Sequence, residues 1–99
     1  MISSSDKKII LKYAQEYHLK KIVLFGSASY SDTYSDIDIG VKGVSSEIFF
    51  DFCWKIYKNL STSVDIIDLD KKSTFNDLVE RDGVIIYGWY FWKSQRRNG

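Results

Sequence analysis

The chain has 99 residues, 44% of them hydrophobic and 27% charged, which suits one globular domain with a single core and leaves no length for a second substrate domain. Fourteen basic residues against thirteen acidic ones give a net charge of +1, so no global field draws the protein to nucleic acid or to an anionic membrane, and direct nucleic-acid binding is disfavoured. The one cysteine, Cys53, excludes an internal disulfide; with no signal peptide and no run of about eighteen apolar residues, a reducing cytoplasm is the expected location.

Over residues 6–17 the apolar positions Ile9, Ile10, Tyr13, Ala14 and Tyr17 recur at helical spacing, with Ser4 or Ser5 as the cap. His18, at the end of this helix, is read as a solvated or satisfied side chain without a catalytic role. Residues 21–25 form a short strand that delivers Gly26 at its carboxyl end, where open α/β sheets place ligands. At Gly26-Ser27 a residue without a side chain lets a triphosphate approach the backbone, and the neighbouring hydroxyl and amide can donate to its oxygens. Residues 27–31 begin a short helix; Tyr30 and Tyr34 line a base pocket or, more simply, are exposed loop tyrosines.

The alternation Asp36-Ile37-Asp38-Ile39 marks a half-buried strand, running to Val41 and ending at Lys42-Gly43. Both aspartates share one face, roughly 6.6 Å apart along the strand, so their carboxylates can converge on metal ions about 3.5–4 Å apart. Hard oxygen ligands opposite a phosphate-binding turn suit Mg²⁺, which substrate phosphates complete. Surface carboxylates, a calcium loop and the Asp-x-Asp of metal-dependent glycosyltransferases are the competing readings; strand-like Ile37 and Ile39 oppose the calcium loop.

Ser45 or Ser46 opens the next helix, with Ile48, Phe49, Phe52, Ile56, Tyr57 and Leu60 as its apolar stripe and Cys53 as a small buried residue. A strand over 64–69 sets Asp65 between two apolar residues, where an unpaired buried charge would be costly and a metal would relieve the cost; an edge-strand position near solvent is the alternative. Beside the preceding strand, Asp65 would join Asp36 and Asp38. Thr74-Phe75-Asn76-Asp77 has the form of a capping box, starting a helix that ends near Asp82-Gly83, and 84–87 is a last short strand. The segment 89–99, with four consecutive aromatics followed by Lys93, Arg96 and Arg97, is expected to be a tail that docks on a partner or on another copy, outside a domain of residues 1–88.

Gly26-Ser27, a loop, Asp36-Ile37-Asp38 and the later Val64-Asp65-Ile66 together resemble the DNA polymerase β type nucleotidyltransferases, and within them the minimal nucleotidyltransferase domains. The resemblance implies an α/β (α+β) nucleotidyltransferase fold: a small mixed sheet of about 3–5 strands with helices packed on one side. It implies that Asp36, Asp38 and Asp65 are catalytic and hold two Mg²⁺ ions, that Asp65 can act as base, and that Gly26 and Ser27 bind the phosphates of ATP. Minimal nucleotidyltransferases commonly accompany a HEPN-family toxin, so the implied activity is transfer of AMP from ATP to a tyrosine of that toxin, with this chain as its antitoxin. Ala28, where an arginine often follows Gly-Ser, and a loop about two residues short of the usual spacing keep open a second implication, neutralisation by binding alone. No membrane partner is implied, and self-association is open.

Overall fold

The computed structural model describes residues 1–88. The expected tail over 89–99 lies outside the described residues. Helix α1 (Ser4–Glu16) is capped one residue earlier than expected, by Ser3, whose hydroxyl accepts from the Asp6 amide. Strand β1 (Lys21–Phe25), strand β2 (Asp36–Lys42), helix α2 (Ser46–Asn59), strand β3 (Ser63–Asp68), helix α3 (Thr74–Asp82) and strand β4 (Val84–Gly88) follow. Ser45 caps α2 through the Ile48 amide, and Ser73, not Thr74, caps α3 through the Asn76 amide. Both helices therefore begin with a hydroxyl that satisfies an otherwise orphaned N–H.

The strands form one mixed sheet in the order β3-β2-β1-β4. β1 runs antiparallel to both its neighbours, whereas β2 and β3 are parallel because α2 carries the chain back across the sheet between them. The four strands and the α+β class agree with the expectation. Its one-sided arrangement of helices is corrected: α1 and α2 share one face and α3 covers part of the other.

Strand alternation explains the two layers. Ile22 and Leu24 of β1, Ile37, Ile39 and Val41 of β2, and Val64 of β3 point to α1 and α2, meeting Ile10, Tyr13, Ala14, Phe52 and Ile56. Their neighbours in sequence point the other way, and there Val23, Leu69 and Val79 make a smaller core with Phe25, Ile67 and Ile85. Only the second cluster receives α3. Ile48 and Tyr57, expected in the α2 stripe, are instead largely exposed, as are Phe50 and Trp54; the buried face of α2 is narrower, comprising Phe52, Cys53 and Ile56 with Phe49 partly covered.

A charged cluster closes the α3 face at the far end of β2. Buried Lys21 donates to Glu80 at 2.5 Å, and Lys42 reaches both Glu80 oxygens at 3.3 Å. Burial alone would raise the Glu80 carboxyl, but the hydrogen bonds and charges of Lys21 and Lys42 outweigh it and hold Glu80 below the usual carboxylate range. Asp70 secures the adjacent turn by accepting from the Gly43 and Val44 amides, while Asp68 accepts from the Asp70 amide.

Candidate active site

Three strand ends meet on the sheet face that carries α3, whose Phe75 packs edge-on against Phe25 with ring centroids 6.0 Å apart. In the sheet register Phe25 stands opposite Asp38, Asp38 opposite Asp65, and Asp36 opposite Ser63. Because Ile37 and Ile39 are fully buried toward α1 and α2, alternation turns Asp36 and Asp38 to the other face, and the parallel register puts Asp65 on that face beside Asp38. The strand pairing on which the aspartate cluster depended is thus present. Asp36 and Asp65 are exposed and Asp38 is half-buried. The expected burial of Asp65 is corrected: β3 is an edge strand, so solvent reaches its carboxylate.

Gly26 follows directly on β1 and takes a positive φ of 71°. A Cβ there would fall on Oδ2 of Asp38, so the missing side chain is what lets the carboxylate lie against the turn. A short 3₁₀ turn, Ser27–Ser29, continues from it, fixed by the Ser29 amide (3.0 Å) and hydroxyl (2.6 Å), both donating to the Gly26 carbonyl. Ala28 is fully buried against the core, so position 28 presents no side chain to the turn's outer surface. Tyr30 is 78% exposed, whereas the Tyr34 hydroxyl accepts from the Ser3 amide at 3.0 Å.

The electrostatics are those of a like-charge cluster. Burial, then the charges of Asp65 and Asp36, together with a side-chain hydrogen bond to Asp65, raise the Asp38 carboxyl above its ordinary value. None of the ion pairs among the described residues involves Asp36, Asp38 or Asp65. A divalent cation fits such a donor set, since it would relieve the repulsion that raises Asp38. Among the described residues no three His, Cys, Asp or Glu side chains are already gathered around one point, so the cluster is a set of adjacent ligand positions rather than a closed cage.

Tyr57 of α2, about half exposed, feels the charge of Asp65. Burial first, then Cys53 and the charge of Asp65, raise its hydroxyl's pKa. A cleft of about 370 Å³ lies elsewhere, lined by Lys42, Leu69, Asn76 and Glu80 among others, four residues along β2 from Asp38.

A half-buried carboxylate flanked by two others, packed on a glycine turn at the end of a mixed sheet, defines a nucleotidyltransferase-type domain. The family model described as Polymerase beta, Nucleotidyltransferase matches residues 7–89, and the chain belongs to that family. Comparison with curated proteins gave no match. Among solved structures, the chain is similar to one in the crystal structure of the toxin–antitoxin MntA-HepT, with 25% identity, 87% of this chain and 73% of that one covered, and a TM-score of 0.65. It is similar to one in a toxin–antitoxin crystal structure with AMP-PNP, with 28% identity, 83% and 73% coverage and a TM-score of 0.67. A third is a re-refined structure of the tri-AMPylated Shewanella oneidensis HEPN toxin in complex with MNT antitoxin, with 26% identity, 92% and 76% coverage and a TM-score of 0.67. The resemblance carried by Gly26-Ser27 and Asp36-Ile37-Asp38 is thereby borne out.

Proposed function

We propose that this chain is an antitoxin of the minimal nucleotidyltransferase type that transfers AMP from ATP to a tyrosine hydroxyl of a HEPN-family toxin. The observation that supports it most is the packing of Asp38 between Gly26 and Asp65, which brings a phosphate-approachable turn against a carboxylate cluster. The similarity to toxin–antitoxin chains, one with AMP-PNP and one with an AMPylated toxin, supports the choice of donor and partner.

In this reaction the acceptor oxygen bonds to the α-phosphorus of ATP, the bond from that phosphorus to the bridging oxygen breaks, and pyrophosphate leaves with the electron pair. Gly26 and Ser27 bind the outer phosphates through backbone and hydroxyl. Asp65, exposed at the sheet edge, is open to an incoming acceptor and takes its proton. Mg²⁺ held by Asp36, Asp38 and Asp65 would supply charge neutralisation at the phosphates and acidity at the acceptor hydroxyl.

One observation favours a second reading, in which the fold neutralises the toxin by contact alone: position 28 points into the core and offers the phosphates nothing. Intact-mass spectrometry of the co-expressed partner, incubated with this protein, Mg²⁺ and ATP, separates the two. AMP-sized additions that disappear with an Asp36→Asn, Asp38→Asn double variant support transfer. A stable, silenced and unmodified partner would replace it with the binding reading.

A further inference from the structure

The loop between the phosphate turn and the carboxylate strand is held at both ends by one short segment. The Ile2 amide donates to the Ala28 carbonyl at 2.7 Å, one residue past Ser27. The Ser3 amide donates to the Tyr34 hydroxyl at 3.0 Å, two residues before Asp36. Ile2 is 8% exposed and belongs to the main core, which anchors the segment, and Ser3 begins α1 as its cap. Tyr34 packs its ring against the same core while its hydroxyl faces the segment.

We infer that Ile2, Ser3 and Tyr34 form a brace that sets the spacing between the Gly26-Ser27 turn and Asp36, with Tyr34 as a positioning residue for nucleotide binding. The inference rests on the nucleotide-site reading above. Its physical basis is that the two halves of the site sit on opposite arms of one polar loop. A ligand bridging phosphate turn and carboxylates binds only when both arms are in register, and its apparent affinity falls with the fraction of molecules so arranged. One hydrogen bond of ordinary strength, lost from the brace, reduces that fraction by up to about fivefold. Tyr34 is therefore more than a loop tyrosine, and it touches neither phosphate nor metal to have this effect.

The test is titration of wild type, Tyr34→Phe and Tyr17→Phe with Mg²⁺ and AMP-PNP, followed by calorimetry, with the unliganded thermal midpoint of each. Tyr34→Phe keeps the packed ring and removes only the hydroxyl. Tyr17→Phe removes a different tyrosine hydrogen bond, the 2.6 Å contact to Asp51, far from the loop in sequence. The brace requires a higher dissociation constant for Tyr34→Phe, by up to about fivefold, with Tyr17→Phe binding like wild type even if less stable. Equal binding by wild type and Tyr34→Phe overturns the brace and leaves the nucleotide site standing. Equal weakening by both variants also overturns it, because the effect would then follow global stability. If wild type itself fails to bind, the nucleotide reading falls and the brace falls with it.

Discussion

The carboxylate of Asp38 occupies the space that a side chain on residue 26 would need, so the turn and the strand are shaped to each other. Gly26→Ala meets two penalties at once, a clash with Oδ2 and a residue other than glycine at a φ of 71°. We expect a loss of about 1–3 kcal/mol in urea unfolding, and loss of Mg²⁺-dependent thermal protection by ATP that persists at temperatures where the variant is still folded.

Asp38→Asn has the opposite effect on stability. The raised carboxyl means that ionised Asp38 costs the unliganded protein free energy at neutral pH, chiefly through burial and then through Asp65 and Asp36. Removing the charge should raise the unliganded thermal midpoint while abolishing stabilisation by Mg²⁺ and ATP. The gain should shrink as pH falls, since the wild-type carboxyl takes up its proton and sheds the same penalty. An unliganded variant less stable than wild type at pH 7 would contradict this account.

Glu80 supplies the contrasting case. Its carboxyl is lowered because Lys21 and Lys42 overcome the effect of burial, so it contributes stability above its unfolded value near 4.5 and loses that contribution as pH falls through the lower folded value. Glu80→Gln should cost about 1.5–3 kcal/mol at pH 7, and the difference from wild type should narrow as pH falls below 4.5. Denaturant melts across pH 3–7 measure both.

Tyr17 extends the pH argument to the alkaline side. Its hydroxyl, donating to Asp51 at 2.6 Å, has a pKa pushed up to about 12, first by that hydrogen bond and then by burial and the Asp51 charge. The contact joins α1 to α2, and its contribution should be complete below pH 10 and decline from there toward pH 12. Tyr17→Phe should lack this alkaline loss, which absorbance titration of the tyrosines alongside thermal melts would reveal.

Most of the chain's organisation was legible in local pattern. Asp36-Ile37-Asp38-Ile39 announces its two faces by alternation alone, and Gly26-Ser27 announces a turn. What local pattern does not carry is which face a neighbouring element covers. Asp65 was expected to be buried because it lies between Val64 and Ile66, yet its strand is at the edge and only those neighbours face the helices. Tyr57 fits the α2 stripe by spacing but is 48% exposed. The fit of Gly26 to Asp38, and the brace from Ile2 and Ser3 to a loop some thirty residues on, depend on strand register and chain crossing, which no window of sequence contains.

The strand order also sets a timetable for synthesis. Gly26, Asp36, Asp38 and Asp65 all belong to the stretch that ends with β3, so every residue of the carboxylate cluster emerges before α3 and β4 do. Until Val84–Gly88 emerges, however, β1 has a bare backbone edge, and until α3 emerges Val23 has no helix above it. The nascent chain therefore passes through a stage in which the residues of the candidate site have emerged but one side of the sheet is adhesive, and that interval is where a chaperone or another nascent copy would find it.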